Sequence, residues 1–117
     1  MLQLLIQRSQ DAVMLKCLGK MVAGEGLNLV QRTALAQHAS SLTFDFSGVE
    51  TLDAAGLGML LRVRQWCDSQ GTTLKLTHPN KHVREVLAVT SLDSVLEIYP
   101  TSGEDVEAPR EWVYVER

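Results

Sequence analysis

Hydrophobic and polar residues alternate with a period of two in several short stretches of the chain. LQLLIQRS and AVMLKCLGKM are two such stretches, and the turn-like SQDA between them predicts an N-terminal β-hairpin. The same period returns in SLTFDFSGV, where Leu42, Phe44 and Phe46 lie on one side of a strand. TTLKLTH and SVLEIYP predict two further strands, the last of which ends at Pro100.

Between these strands the apolar spacing changes to that of amphipathic helices. Residues 25–39 and 56–69 each carry one apolar stripe, and Asn80 is placed to cap a third helix. The inward-facing residues of the three helices are Leu27, Val30 and Ala34, then Leu60, Val63 and Cys67, then Val83, Val86 and Leu87.

The predicted order is therefore β, β, α, β, α, β, α, β. From residue 13 onward each β-α-β crossover should be right-handed, which gives an α/β domain with a mostly parallel sheet. We expect four to five strands, including the N-terminal hairpin strand, and three or more helices. At 117 residues the chain has room for one core, which we assign to residues 1–100.

Residues 101–117 differ in composition from the rest of the chain. Residues 1–100 contain nine acidic and nine basic side chains, so the net charge of −3 lies entirely in this C-terminal tail. Residues 101–110 are polar and predict a flexible linker. Trp112, Val113, Tyr114 and Val115 are apolar, so this short end is predicted to dock on the domain or on another subunit.

The composition narrows the functional classes. Apolar runs stop well short of the roughly 20 residues that a membrane-spanning helix needs, and the N-terminus lacks the pattern of a signal peptide. The chain is therefore expected to be cytoplasmic and not to insert into a membrane. Basic residues do not form a stripe interleaved with aromatic residues, which argues against nucleic acid as a ligand.

Cysteine and histidine do not predict metal or redox chemistry. Cys17 and Cys67 are far apart in sequence and are expected to be buried, reduced thiols. His78 and His82 are four residues apart, but Pro79 separates them and prevents a shared helical face. His38 is expected at the end of another helix, so we predict no metal site.

The stretch TLDAAGLGML, residues 51–60, lies where a strand should turn into a helix. Gly56 and Gly58 suggest a dinucleotide-binding loop, but the third position of that motif is the large Leu61. A phosphate-binding lysine does not follow, and neither Ser47 nor Thr51 stands in a G-x-S-x-G sequence. We therefore expect neither a cofactor nor enzymatic activity.

The region from LTFDFSGVETLDAAGLG to LAVTSLDSVLEIYP resembles the STAS domain, the fold of bacterial anti-sigma factor antagonists. The resemblance extends from the N-terminal hairpin almost to Pro100. It implies a partner-switching module in transcription regulation, which binds an anti-sigma factor that is usually a serine kinase. It also implies that the kinase phosphorylates a Ser or Thr in a D-S-[S/T]-G turn and so ends the binding, because phosphate adds charge within the interface.

The resemblance assigns roles to individual residues of the turn. Asp53 matches the acidic residue of the family and can also cap the following helix. Gly56 matches the glycine that allows close backbone approach. Ala55 stands where the family has the phosphorylated residue, and Ala54 fills the small position before it. Val22 stands where the family often has an acidic residue, so both polar features of the kinase reaction are missing.

The resulting prediction is a partner-binding surface around the turn. Met59, Arg62 and Trp66 are spaced to form a partner-facing ridge, although Trp66 fits the edge of the core equally well. Thr51 or Ser47 could accept phosphate instead of residue 55, but both also fit ordinary hydrogen bonding in a turn. The predicted partner-binding residues are Met21, Val22, Asp53, Ala54, Ala55, Gly56, Leu57, Met59 and Arg62.

Two functional hypotheses follow. In the first, the chain binds an anti-sigma factor or a similar regulator but is not switched off by phosphate at residue 55. In the second, it is a scaffold or docking subunit of a signalling assembly or a membrane transport complex. Either could involve a homodimer.

Overall fold

The computed structural model describes residues 2–94, 96–99 and 113–114. Within these residues a single 3₁₀ turn, Leu92–Ser94, precedes the fifth strand. The strands and helices are β1 Gln3–Ser9, β2 Ala12–Met21, α1 Glu25–Leu35, β3 Ser41–Leu52, α2 Ala54–Gln70, β4 Thr73–Thr77, α3 Lys81–Val89, β5 Glu97–Tyr99 and β6 Val113–Tyr114.

The strands form one sheet in the order β5-β4-β3-β2-β1-β6. Strands β2 to β5 pair in parallel, and β1 pairs antiparallel with β2 as the predicted hairpin. The predicted α/β class, mostly parallel sheet and order of elements are therefore confirmed. Consecutive parallel strands lie side by side, so each helix is a crossover between neighbouring strands.

Strand β6 adds one strand to the predicted number. Its two residues pair antiparallel with β1, Val113 opposite Ile6 and Tyr114 opposite Leu5. The predicted docking of the apolar tail on the domain is thus confirmed for the backbone of these two residues. Trp112, Val115 and the predicted linker 101–110 lie outside the described residues.

The core lies on one face of the sheet. Alternate residues of the central strands, such as Leu15, Phe44 and Leu76, are at most 1% exposed. They form one continuous cluster with the buried residues of all three helices. Because successive side chains of a strand point to opposite faces, a single cluster built from one set of alternate residues places all three helices on the same face.

Helix α1 ends earlier than the predicted 25–39, and Gln37 explains why. The Gln37 side-chain amide donates to the Thr33 carbonyl at 2.8 Å, while its backbone N–H turns to Ala34 at 3.2 Å. In a continuing helix the Gln37 N–H would bond to Thr33. The side chain thus replaces a helical hydrogen bond and is itself buried.

Helices α2 and α3 are fixed by side-chain caps. Asn80 accepts the Val83 N–H at 2.7 Å, which confirms the predicted cap of α3. Its amide also donates to the Val49 carbonyl at 3.0 Å and so ties α3 to β3. Helix α2 begins at Ala54, two residues before the predicted start, and ends where Gly71 adopts a left-handed conformation with φ 74°.

Candidate protein-docking site

The turn between β3 and α2 is held by the carboxylate of Asp53. One oxygen accepts the Gly56 N–H at 2.9 Å and caps α2, as the sequence predicted. The other oxygen accepts the Ala23 N–H at 3.1 Å, across to the loop that follows β2. Both hydrogen bonds favour the ionised carboxylate and lower the pKa of Asp53, and the bond from Gly56 has the larger effect. Asp53 therefore joins the turn to the β2–α1 loop.

Gly56 allows this turn to approach the end of β2 closely. A Cβ atom at Gly56 would lie 2.4 Å from the Met21 carbonyl oxygen and 3.3 Å from the Leu52 Cβ. The Asp53 N–H donates to the same Met21 carbonyl at 3.3 Å. The close approach expected from the sequence is thus an approach to the chain's own backbone.

Ala54 and Ala55 are at the start of α2 and differ in exposure. Ala54 is exposed, whereas Ala55 is half-buried and packs against the core. Ala55 also lines an open groove of about 390 Å³ between the N-terminal part of α1 and α2. The methyl group at position 55 therefore faces a surface that another protein can reach, and it carries no hydroxyl for phosphate.

The charged lining of this groove consists of Glu25 and Arg62. Arg62 is exposed, and its Nε donates to the side-chain oxygen of Gln31 at 3.0 Å. Gln31 belongs to α1, so this bond links the two helices across the groove. The surface has mixed charge, with a guanidinium held in place on α2.

The predicted ridge of Met59, Arg62 and Trp66 is only partly exposed. Met59 is 0% exposed and belongs to the core cluster, so its predicted contact with a partner is wrong. Trp66 is half-buried and packs at the edge of the core, while Arg62 is exposed. Helical spacing alone could not separate these positions, because one α2 stripe borders both the sheet and the groove.

Met21 is likewise buried, at 0% exposure, so its side chain cannot contact a partner as predicted. Its carbonyl instead takes part in the close contact with the turn. Val22 and Leu57 are half-buried, and Gly56 is buried. The sequence did not predict the hydrogen bond from the Ala23 N–H to Asp53. Every residue except proline has a backbone N–H, so the sequence does not show which of them binds a side chain.

The two alternative phosphate acceptors near the turn, Thr51 and Ser47, differ in their hydrogen bonds. Thr51 Oγ1 lies 2.8 Å from Nε2 of His82, which links β3 to α3. Ser47 is exposed within β3, and its backbone N–H donates to the Asp45 carboxylate at 2.9 Å. Phosphorylation of either residue stays a prediction.

The cysteines and histidines are dispersed. Cys17 and Cys67 are buried and unpaired with each other, as predicted. Burial raises the pKa of both thiols, that of Cys67 to about 11 with a further contribution from Asp68. His78 follows β4 and His82 lies in α3. Among the described residues, no group of three potential ligands is placed to hold a metal ion.

Comparison with known proteins agrees with this fold. The family model described as Mlab, STAS domain, matches residues 5–97, and the chain belongs to the STAS domain family. A Thermotoga maritima protein assigned as an anti-sigma factor antagonist is 36% identical over 64 residues, which are 55% of this chain and 57% of that protein. The match thus covers little more than half of the relative.

Solved structures share the fold over a longer stretch. The crystal structure of a Thermotoga maritima anti-sigma factor antagonist, so assigned, has a TM-score of 0.76 and 26% identity, over 87% of this chain and 90% of that one. A sulfate transporter family protein from Wolinella succinogenes has a TM-score of 0.70 and 15% identity, over 81% of each chain. At 15% identity, the likeness to the Wolinella succinogenes protein shows the fold alone. None of the described helices is long and apolar enough to cross a membrane.

Proposed function

We propose that this chain is an anti-sigma factor antagonist-like docking module. Because residue 55 is alanine, phosphorylation at this position cannot switch its binding off. The observation that carries the proposal is the turn itself, in which Asp53 and Gly56 keep the backbone fixed while Ala55 lies at the groove without a hydroxyl. Binding and switching are separable here. The shape of the turn that a partner would bind depends on the backbone, whereas switching needs a hydroxyl oxygen that accepts phosphate.

The surface proposed to meet the partner consists of Ala54, Ala55 and Arg62, with the half-buried Val22 and Leu57 beside them. Its small side chains leave the start of α2 open to close approach, and the positive end of the α2 helix dipole favours acceptor groups on a partner. The partner is an anti-sigma factor of the serine kinase type or a similar regulator. The chain acts by binding and not as an enzyme.

A second candidate is a docking subunit of a signalling assembly or a membrane transport complex. The alanine at position 55 favours this candidate too, because permanent docking needs no phosphate switch. The two candidates use the same surface and differ in the protein that occupies it.

A capture experiment from native cell extract tests both the surface and the partner. Ala54→Glu places a charge at the start of α2, whereas Gln70→Glu places the same charge at the exposed far end of that helix. We expect the native chain and Gln70→Glu to retain one protein in equal amounts, and Ala54→Glu to lose at least tenfold. Equal retention by all three would contradict the proposed surface.

The identity of the captured protein then separates the two candidates. Mass spectrometry that finds a serine kinase-type anti-sigma factor supports the first, and transport subunits support the second. With a captured kinase and ATP, the native chain should stay unmodified at residues 54 and 55, while Ala55→Ser should take up phosphate. Stoichiometric phosphate on Thr51 or Ser47 of the native chain would overturn the loss of the switch.

A further inference from the structure

Strand β1 lies next to the last strand of the sheet, and its outer side is paired over a short stretch. β1 has seven residues, Gln3–Ser9, and among the described residues β6 pairs with two of them, Leu5 and Ile6. At the opposite edge, β5 has three residues and includes the charged Glu97. Backbone groups at a sheet edge are a template for pairing with another strand. Of these two sides of the sheet, that of β1 offers the longer template.

Strand β1 itself lacks the sequence features that usually keep an edge strand from pairing. It contains no proline and one charged residue, Arg8, near its end. The Arg8 Nε donates to the side chain of Gln37 at 3.3 Å, so the loop after α1 holds this charge. In the middle of the strand, Leu4, Leu5 and Ile6 are 1%, 9% and 5% exposed. A strand of this kind needs cover by another strand, and β6 provides it at the centre.

The sequence of β1 is compatible with antiparallel pairing to a second β1. Leu4 and Ile6 belong to the core on the helical face of the sheet. The alternate residues Gln3, Leu5 and Gln7 point to the other face. Symmetric pairing of two copies about Leu5 keeps each face in register, with Leu5 opposite Leu5, Leu4 opposite Ile6 and Gln3 opposite Gln7. The residues of each pair are of the same kind, and like charges do not meet.

Strand β6 and a second copy would compete for the same part of β1. β6 pairs with Leu5 and Ile6, which lie at the centre of the symmetric ladder. A segment tethered in the same chain has an effective concentration on the order of millimolar, so β6 has the advantage in dilute protein. The ladder between two copies is longer, since it runs from Gln3 to Gln7, but it depends on the concentration of the chain. Release of β6 should therefore favour the pairing of two copies.

We propose that the outer side of β1 is a pairing surface for a second copy of this chain, and that β6 controls access to it. While Val113 and Tyr114 pair with β1, this surface is closed at its centre. Release of β6 lets the β1 strands of two copies pair about Leu5, which joins two sheets into one with the helices on the same side. The proposal does not rest on docking at the β3–α2 turn, because β1 contributes no residue to that surface.

Proline substitutions in the full chain test the control by β6. Successive N–H groups of a strand point to opposite sides, so the release variant carries both Val113→Pro and Tyr114→Pro. The matched control carries Val106→Pro and Glu107→Pro, which place the same residue type in the tail outside β6. Circular dichroism checks that each variant is folded, and Tyr114→Pro alone replaces the release variant if the double substitution is not.

Sedimentation velocity over a range of protein concentrations measures the equilibrium between monomer and dimer. We expect the release variant to dimerise with a Kd at least tenfold lower than the Kd of the native chain. The control variant should behave as the native chain does. Equal Kd values for the release variant and the native chain, or a release variant that stays monomeric at every concentration, would overturn the proposal.

Cysteine cross-linking then tests whether β1 forms the dimer interface. Gln3→Cys and Gln7→Cys are introduced separately into the release variant, and the native thiols are buried and should not compete. The two positions are about 13 Å apart along one strand, too far for a disulfide, so the proposed register joins unlike copies only. Under mild oxidation, we expect the mixture of the two variants to give covalent dimers at least tenfold faster than either variant alone. Equal rates would overturn the pairing of β1 with a second β1.

Discussion

Replacing Gly56 by alanine should destabilise the protein, although alanine is the better helix former. The change adds one methyl group in the first turn of α2. The new Cβ would lie 2.4 Å from the Met21 carbonyl oxygen, closer than real Cβ atoms come to any heavy atom. Since the blocking atom belongs to the backbone of β2, a side-chain rotation cannot relieve the contact.

Gly58 provides a matched control two residues along the same helix. A Cβ at Gly58 would meet only the end of the flexible Arg62 side chain, at 3.5 Å. The gain in helix propensity is about 0.8–1 kcal/mol for either glycine in a helix interior. For Gly58→Ala this gain is unopposed, so the free energy of unfolding should rise by about 0.5–1 kcal/mol.

For Gly56→Ala the gain is opposed by overpacking, which typically costs about 1–3 kcal/mol. Contact with a backbone atom places the cost near the upper end of that range, so unfolding should become easier by about 1–2 kcal/mol. At about 4 °C per kcal/mol for a chain of this size, Tm should fall by roughly 4–8 °C for Gly56→Ala. It should rise by roughly 2–4 °C for Gly58→Ala.

Thermal and urea unfolding followed by far-ultraviolet circular dichroism measures both variants against the native chain. Equal m-values would show that the variants unfold from comparably compact states. The reasoning is refuted if Gly56→Ala melts at or above the native temperature while Gly58→Ala behaves as expected. In that case the turn and β2 are not in close contact.

Three further changes test the site and the core. Asp53→Asn keeps a helix cap but removes a carboxylate whose pKa is lowered from 3.8 in the folded state. The native chain should therefore lose stability as pH falls through that folded-state pKa. The variant lacks this carboxylate and should show a shallower loss of Tm below pH 5. An identical pH dependence would contradict the bridging role. Met59 is a buried core residue, so Met59→Ala should lower the free energy of unfolding in urea by about 2–5 kcal/mol. Arg62 is exposed, so Arg62→Ala should change the free energy of unfolding by less than about 0.5 kcal/mol but weaken partner capture. Similar stability losses in the two variants would argue against placing Met59 in the core and Arg62 on the surface. Cys17 and Cys67 should resist a thiol reagent in the folded chain and react in guanidinium, because both are buried; rapid labelling of the folded chain would show that they are accessible.

Most of the fold follows from local patterns in the sequence. The period-two stretches became strands, the three apolar stripes became helices, and Asn80 and Asp53 became caps. These features depend on neighbours within a few residues, so the sequence itself carries them. The end of α1 was misjudged because Gln37 fits a helix by spacing, and only its hydrogen bond to Thr33 shows that the helix stops.

The candidate site was identified from the sequence but not divided correctly into surface and core. The small residues at 54–58 and the missing hydroxyl at Ala55 are visible in the sequence alone. Met59 and Arg62 are equally plausible surface residues by helical spacing, and burial against the sheet decided that Met59 belongs to the core. The contact of Asp53 with the Ala23 N–H joins residues 30 positions apart, which no local pattern can predict.

The sequence by itself determined the kinds of element, their order and the absence of a hydroxyl at residue 55, because each depends on residue type and short-range periodicity. Only the tertiary structure decided which stripe residues are buried, how the turn contacts the end of β2 and where the short C-terminal strand pairs. These features depend on contacts between distant segments, and the free energy of such contacts is set by packing in three dimensions.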